Sequence, residues 1–260
     1  MNKMKISPIN SEYDESAIAE LCHKLRLPGV YRAYLEQLQD PSFAQLSFTN
    51  RLGVTLQREC DERTDRHIKR LIKNTKIADD MVDIGVITFE KERKLDQAQV
   101  MELATCRWIM RDRPLNLIIT GQCGTGKTWL AKALGKQACY QSLSTFFIRM
   151  SGLVEMFDEA REQKTRIALR EKLNKYKLLI IDDFALTTSL SDENRDFLLT
   201  ILDDRLHRAS VIITSQRGWD SWYDWFGESY ESDAILDRLK HSSEFIHLEG
   251  PSLRKKWVNQ

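Results

Sequence analysis

The chain has 260 residues, of which 42% are hydrophobic and 30% charged, and its 39 lysines and arginines almost balance 38 aspartates and glutamates. This composition is ordinary for a globular protein and allows a core domain with a smaller appendage, while the net charge of +1 identifies no partner by itself. The five cysteines are scattered and include no C-x-x-C pair, which argues against a zinc site. The sequence shows no apolar leader of a secreted protein and no run of about 18 apolar residues that could span a membrane. We therefore expect a cytoplasmic protein.

Residues 1–76 are predicted to form a small all-α N-terminal domain that binds DNA or a partner. A first segment of helical leucine spacing is interrupted at Pro28-Gly29, and a second ends at Asp40-Pro41. A longer helix then begins near Ser47 or Thr49 and continues into a basic stretch.

The basic stretch at the end of this helix is a candidate DNA-binding surface. Six cations lie between residues 63 and 76, where Asp65 is the one acidic residue: Arg63, Arg66, Lys69, Arg70, Lys73 and Lys76. Four of them fall at i, i+3, i+7 and i+10, which aligns them on one helical face that could follow a line of phosphates. Nucleic-acid backbone is the preferred partner, and a solvated helix face is the alternative.

The segment 77–94 alternates short apolar and charged pieces and is interpreted as a linker into the core domain. Its apolar residues are candidates to line a pocket: Val82, Ile84, Val86, Ile87 and Phe89. Residues 95–110 are predicted as one helix beside the strand that follows.

A phosphate-binding motif stands at the centre of the chain. The pattern G-x-x-x-x-G-K-[ST] is satisfied in full by Gly121, Gln122, Cys123, Gly124, Thr125, Gly126, Lys127 and Thr128. A β-branched apolar run at 115–120 precedes it and helical spacing at 129–138 follows it, as such a motif requires. Glycines allow backbone N–H groups to surround a β-phosphate, and the helix N-terminus favours the anion. We expect Lys127 to reach the β and γ oxygens, Thr128 to ligate Mg²⁺ and Trp129 to lie in the nucleotide site.

A buried strand at 177–184 supplies the second half of the predicted site. After a predicted strand at 145–148 and helices at 152–162 and 166–176, four aliphatic residues lead into Asp182 and Asp183. Ligands of parallel sheets bind at the carboxyl ends of the strands. Asp182 is therefore predicted to hold Mg²⁺, and Asp183 to accept a proton from, or orient, the attacking water.

The remaining elements complete an α/β fold with a parallel sheet. A helix at 191–208 and a buried strand at 211–216 extend the alternation, and a helix at 232–241 and a strand at 244–248 follow. An aromatic cluster between them could stack nucleic-acid bases, but helical spacing favours packing on the sheet: Trp219, Trp222, Tyr223, Trp225 and Phe226.

With these motifs in place, the chain resembles the IstB-type transposition helper ATPases, which are AAA+ proteins related to the DnaC-type helicase loaders. The resemblance covers nearly the whole chain and rests on residues 24–29, 102–109, 121–128, 178–183, 212–216 and 233–239. It implies an AAA+ P-loop NTPase core over 95–260, with a parallel sheet flanked by helices, preceded by the helical domain. It further implies a DNA-stimulated, Mg²⁺-dependent ATPase that assembles as a ring or spiral on double-stranded DNA and presents the target to an IstA-type transposase.

The resemblance also implies roles for three residues beyond the motifs. Gln216 looks like the polar sensor of the γ-phosphate, Arg238 like an arginine finger offered to the neighbouring subunit's ATP, and Arg254 like a second sensor. Asp183 departs from the commoner Asp-Glu pair by one methylene, so we expect slow hydrolysis unless DNA or a partner adjusts the geometry.

Three other functions compete with this interpretation. A DnaC-like helicase loader would share the ATPase core but act with a helicase and single-stranded DNA. A metabolic phosphoryl-transfer kinase would share only the phosphate loop and would have no use for a basic helical domain. A DNA-bending scaffold with a degenerate nucleotide site is disfavoured because the motif residues are complete, from Lys127 and Thr128 to Asp182 and Asp183.

Overall fold

The structure is a computed structural model that describes residues 13–77, 81–186, 190–227 and 230–253. The chain divides into two compact units, Met1–His67 and Ile68–Gln260. The domain boundaries expected from the sequence, after residues 76 and 94, stay predictions. Arg254, the expected second sensor, lies outside the described residues.

The first unit is helical. Its helices are α1 (Glu15–Leu25), α2 (Pro28–Gln39) and α3 (Phe48–Asn74), the last of which continues past His67 into the second unit. Asp14 caps α1 by accepting a hydrogen bond from the Ala17 N–H at 2.8 Å. Pro28 opens α2 because its fixed φ suits a first helical position, where no N–H is needed.

A buried carboxylate joins α2 to α3. Glu59 is 5% exposed and accepts hydrogen bonds from the backbone N–H groups of Gly29 at 2.7 Å and Val30 at 3.3 Å. Burial by itself raises the Glu59 pKa, but hydrogen bonds from Arg63, Gly29 and Val30 outweigh it and the pKa is lowered overall. The close contact requires glycine at position 29, where a Cβ would stand 2.8 Å from the Glu59 Cα.

The second unit is built on a parallel sheet of five strands in the order β2-β3-β4-β1-β5. The strands are β1 (Asn116–Gly121), β2 (Thr145–Arg149), β3 (Leu178–Phe184), β4 (Ser210–Ser215) and β5 (Ser243–Leu248). The helices described in this unit, besides the end of α3, are α4 (Gln97–Ala104), α5 (Arg107–Met110), α6 (Lys127–Tyr140), α7 (Met150–Glu162), α8 (Arg166–Asn174), α9 (Asp192–Arg205), α10 (Ser221–Phe226) and α11 (Tyr230–His241). The expected α/β class is confirmed.

Apolar layers cover both faces of the sheet. Alternate residues of β1 and β3 belong to different clusters: Ile118 and Ile181 to one, Leu117 and Ile180 to the other. Continuous hydrophobic runs are typical of strands that are buried on both faces. No helix among the described ranges is long and apolar enough to cross a membrane.

The single helix expected over 95–110 is wrong, because the chain breaks between α4 and α5. Cys106 adopts a left-handed φ of 57°. The Leu103 carbonyl, which a continuous helix would offer to the Arg107 N–H, accepts instead from the Cys106 N–H at 3.0 Å and the Trp108 indole at 2.9 Å. The hydrogen bond from the buried Trp108 indole to the Leu103 carbonyl thus accompanies the end of α4, and helical periodicity in the sequence does not predict it.

The described part of the segment 77–94, residue 77 and residues 81–94, contributes apolar residues to the core of the second unit. Val82 is buried, and Ile84, Ile87 and Phe89 pack against the cluster that contains Leu117. The expected pocket-lining role does not fit Val86, whose side chain is 62% exposed.

The aromatic cluster after β4 is apolar packing, as the helical spacing predicted. Trp222 and Phe226 are fully buried and Trp219 is 8% exposed. Phe184 at the end of β3 lies against Trp222, with ring centroids 4.5 Å apart. The cluster therefore packs α10 against the sheet, with Tyr223 and Trp225 partly buried at its edge.

Candidate nucleotide-binding site

The phosphate loop connects β1 to α6, as the motif predicted. β1 ends at Gly121, and Gly126 caps α6, whose first residue is Lys127. Gly121, Gly124 and Gly126 have φ values of 144°, 84° and 95°, a region in which an L side chain is strained. The glycines of the motif are therefore required by the backbone path of the loop.

Lys127 contacts the loop that precedes it. Its ammonium Nζ donates to the carbonyls of Gly121 and Gln122, both at 2.8 Å, and the residue is 5% exposed. The Thr125 hydroxyl donates to the same Gln122 carbonyl at 2.9 Å. These contacts place a buried cation against the phosphate loop, where phosphate oxygens are expected.

Thr128 and Asp182 meet where α6 begins and β3 ends. The Thr128 hydroxyl donates to Asp182 Oδ1 at 2.8 Å, and Thr214 of β4 donates to the same oxygen at 2.6 Å. Asp182 has no solvent exposure. Within the described ranges its second oxygen, Oδ2, has no hydrogen-bond partner, and the guanidinium of the exposed Arg149 lies 4.0 Å away.

This pair fits a magnesium ion. Mg²⁺ prefers oxygen ligands, and a hydroxyl and a carboxylate stand side by side. A buried carboxylate oxygen without a hydrogen bond is costly unless something else compensates its charge. The orphaned Oδ2 of Asp182 is thus the observation that favours a cation here.

Asp183 lies in a distorted part of β3, one residue before the strand ends. Its φ is 56°, and the pairing of β3 with β4 shifts register between Ile181 and Phe184. Its N–H donates to the Thr214 hydroxyl at 3.1 Å, and the residue is half-buried. Left-handed backbone at a non-glycine residue is costly and often marks functional sites, where it aims a side chain.

The expected polar sensor, Gln216, and the expected arginine finger, Arg238, both lie at the surface. Gln216 directly follows β4 and is exposed. Arg238 of α11 is 57% exposed and donates to Asp203 of α9 at 2.8 Å. Among the other expected nucleotide contacts, Gln122 and Cys123 are exposed and Trp129 is half-buried.

The six expected DNA-binding cations have different surroundings. Arg63 and Arg66 donate to the buried Glu59 at 2.7 and 3.3 Å, within the first unit. Lys76 lies beyond the end of α3, where its ammonium is 5.3 Å from the Phe146 ring centroid. The other three are exposed on the part of α3 in the second unit: Lys69, Arg70 and Lys73. DNA binding by these residues stays a prediction.

Three contacts of the site were not foreseen from the sequence. Thr214 contacts both Asp182 and Asp183, and its signal was a polar residue ending a buried run in β4. Arg149 comes from β2, in register with Asp182. Arg93 is 4% exposed and donates to the Thr125 carbonyl at 3.2 Å. No local motif marks the last two, because each reaches the site from a distant segment.

Comparisons with known proteins give the family of the chain. A family model described as IstB-like ATP binding protein matches residues 20–260. An insertion sequence ATP-binding protein of Sinorhizobium fredii is 38% identical over 229 residues, which cover 88% of this chain and 92% of that protein. The IS1162 ATP-binding protein of Pseudomonas fluorescens is 38% identical over 194 residues, which cover 75% of this chain and 83% of that protein.

Among solved structures, the crystal structure of DnaI is similar with a TM-score of 0.53 at 17% identity, covering 66% of this chain and 90% of that one. At this identity the likeness shows the fold, which is that of an AAA+ P-loop core. The resemblance stated from the sequence is confirmed, and with it the activity class of an ATPase. The chain belongs to the IstB-like ATP-binding proteins of insertion sequences.

Proposed function

We propose that this ATPase uses Mg²⁺, assembles on duplex DNA and helps a partner transposase to engage its target site. The observation that carries the ATPase site is the meeting of the Thr128 hydroxyl with the buried Asp182 at 2.8 Å, while Asp182 Oδ2 has no hydrogen-bond partner in the part of the chain that is described. That arrangement supports a metal bound between the phosphate loop and β3. Bound Mg²⁺ would neutralise charge on the phosphate oxygens.

Three residues of the chain are proposed to act on the phosphates and on the attacking water. Lys127, held against the loop, contributes positive charge toward the β and γ oxygens. Asp183 accepts the proton from the attacking water or orients it; its left-handed φ of 56° and its position beside the proposed metal ligand Asp182 support this role. Gln216, exposed where the neighbouring strand ends, contributes a polar contact with the γ-phosphate.

Arg238 acts on the ATP of the neighbouring subunit. Its exposure and its position on α11 support this role, and its partner Asp203 is itself 45% exposed. A surface ion pair contributes about 0–1 kcal/mol, so exchanging Asp203 for a phosphate costs little. An arginine supplied in this way can raise turnover about 10³- to 10⁵-fold.

The DNA and transposase parts of the proposal have separate support. The relatives from S. fredii and P. fluorescens are named as insertion sequence ATP-binding proteins. Exposed cations on α3, among them Lys69 and Lys73, supply charge for a phosphate backbone. An IstA-type transposase is the partner that the family resemblance implies.

The test compares ATP turnover with matched duplex and single-stranded DNA of the same length, at two salt concentrations. We expect the duplex to stimulate turnover more strongly and the stimulation to fall as salt rises. Stronger stimulation by single strands would contradict the proposal and would favour a helicase-loader function. If neither duplex nor single-stranded DNA changed ATP turnover, DNA would have no part in the ATPase mechanism.

A further inference from the structure

A buried arginine from outside the motif contacts the phosphate loop. Arg93, in the short 3₁₀ helix Lys91–Arg93, donates from Nη1 to the Thr88 carbonyl at 2.9 Å and from Nη2 to the Thr125 carbonyl at 3.2 Å. Its Nε has no hydrogen-bond partner in the ranges that the structure describes. Burial lowers the pKa of Arg93, with Glu90 acting in the opposite direction.

The contact with Thr125 constrains the next peptide group. A trans peptide is planar, and its C=O and the following N–H point in opposite directions. When Arg93 holds the Thr125 carbonyl, the N–H of Gly126 must therefore face away from Arg93. This is one of the backbone amides that a phosphate loop offers to its anion. The approach is close, since a Cβ on Gly126 would stand 2.8 Å from Arg93 Nη2.

The segment after β5 also contacts the phosphate loop and Arg93. The Leu253 N–H donates to the Gly124 carbonyl at 2.9 Å, and the Glu249 N–H donates to the Arg93 carbonyl at 3.2 Å. Lys94 and Glu249 form an ion pair at 2.8 Å. Arg93 therefore belongs to a continuous set of contacts between the phosphate loop, the segment 88–94 and the segment 249–253.

We propose that Arg93 is a positioning residue of the nucleotide site: it sets the Thr125–Gly126 peptide so that the Gly126 amide faces the β-phosphate of a nucleoside di- or triphosphate. The inference rests on the proposed phosphate-loop site. It gives the segment 77–94, interpreted from the sequence as a linker, a part in nucleotide binding. The contact serves ADP and ATP alike, because both carry a β-phosphate.

The test measures dissociation constants of ADP and ATP, KM, kcat and the thermal midpoint for the full chain and its Arg93→Lys and Arg93→Met variants. Losing a charged hydrogen bond behind the loop is expected to weaken ADP and ATP binding about tenfold for Arg93→Met, and to raise KM more than it lowers kcat. Arg93→Lys keeps the charge but replaces the two donating guanidinium nitrogens with one ammonium nitrogen, so it should recover part of the affinity. If Arg93→Met does not fold, Arg93→Lys decides the question by its own loss of affinity.

Arg205 supplies the matched control. It is 1% exposed and donates only to backbone carbonyls in the contacts described, those of Leu173, Tyr176 and Ser210. Arg205→Lys should lower the thermal midpoint and leave both nucleotide affinities unchanged. Folded Arg93 variants with wild-type affinities, or losses matched by Arg205→Lys, would overturn the inference.

Lys127→Ala separates this outcome from failure of the site itself. If Lys127→Ala loses nucleotide binding while folded Arg93 variants keep it, only the positioning role is wrong. If Lys127→Ala also binds as the wild type does, the proposed phosphate-loop site is wrong and the role of Arg93 falls with it.

Discussion

Thr214 links the two aspartates at the end of β3. Its hydroxyl donates to Asp182 Oδ1 at 2.6 Å and accepts from the Asp183 N–H at 3.1 Å. One side chain of β4 thus fixes the proposed metal ligand and the backbone of the proposed base. Residues that orient a metal ligand are as necessary to a site as the ligand itself.

Replacing Thr214 with valine keeps the shape of the side chain and removes both hydrogen bonds. We expect Thr214→Val to lower kcat or the affinity for Mg²⁺ about 10- to 100-fold. Steady-state ATP turnover titrated with Mg²⁺ measures both quantities. Thr200→Val is the control, because in the contacts described the Thr200 hydroxyl donates to the Asp196 carbonyl of its own helix. Equal effects of the two substitutions would refute the role of Thr214.

Asp183 is expected to act in hydrolysis and not in binding. Asp183→Asn keeps the size of the side chain. It also tolerates the left-handed φ of 56°, because asparagine adopts left-handed backbone conformations more often than most residues. ATP turnover should fall at least about 100-fold, while ATP affinity changes little. Single-turnover hydrolysis and equilibrium titration separate the two effects. Unchanged turnover would mean that another group activates the water.

The residues that were foreseen are those whose signals are contiguous in the sequence. The loop 121–128 and the pair Asp182 and Asp183 each follow a recognisable strand. Arg93 and Arg149 reach the site from segments with no motif of their own, so only the folded chain brings them there.

At the scale of elements, helix contacts depend on where glycine permits close approach. Gly29 of α2 touches the backbone of α3 at Glu59. A Cβ added to Gly53 of α3 would instead meet no atom of the described residues within 4 Å. We therefore expect substitution by alanine to lower the stability of the protein at Gly29 and to raise it at Gly53.

Gly29→Ala should destabilise the protein by about 1–3 kcal/mol, because the new methyl overlaps the Glu59 backbone and a helix can relieve this only by moving. Gly53→Ala should stabilise it by up to about 1 kcal/mol through helix propensity alone. Chemical denaturation of both variants measures the difference. A Gly29→Ala variant as stable as Gly53→Ala would show that α2 and α3 are not packed as described.

The Glu59 carboxylate gives this helical contact a pH dependence. Its pKa is lowered in the folded state, so the stabilisation is present above the ordinary value of 4.5 and is lost as pH falls through the lower folded value. Glu59→Gln should cost about 1.5–3 kcal/mol at pH 7 and flatten the acid dependence of stability. Denaturation between pH 3 and 7, on the order of one unit per step, measures this. A parallel pH profile in the variant would contradict it.

The basic end of α3 requires a charge test. Because Arg63 and Arg66 are hydrogen-bonded to Glu59, replacing them would also disturb the helical contact. The exposed Lys69 and Lys73 are therefore the better probes of DNA binding. Changing both to glutamine should reduce the slope of log affinity against log salt for duplex DNA by about two. Lys91→Gln with Lys164→Gln removes the same charge from exposed positions outside α3 and is the control. Equal slopes for the two double variants would indicate that Lys69 and Lys73 lie on a solvated helix face that does not contact DNA.

Elements were predicted well where hydrophobic runs decide them and poorly where a tertiary contact does. The strands of the sheet follow β-branched apolar runs, which carry their own signal. The break between α4 and α5 depends on the Trp108 indole bonding the Leu103 carbonyl, and no local pattern encodes that contact.

For the whole molecule, the phosphate loop is one half of a proposed interface. The cis half comprises Lys127, Thr128, Asp182 and Asp183, and the other half is Arg238 of the next subunit. Family membership and the ATPase fold were predictable because six separated stretches carry the resemblance. The role of Arg238 stays a proposal, because it requires a second subunit and one chain does not show how subunits assemble.

We propose that each ATP is hydrolysed with the help of an arginine from a second subunit. The decisive measurement is DNA-stimulated ATP turnover of Arg238→Ala, of Asp183→Asn and of their equal mixture. Each variant alone should be nearly inactive, while random assembly of the mixture pairs an intact cis site with an intact arginine at about one quarter of the interfaces. We therefore predict that mixing restores about a quarter of wild-type turnover. A mixture no more active than its two components, or a fully active Arg238→Ala variant, would show that Arg238 does not act on the ATP of a neighbouring subunit.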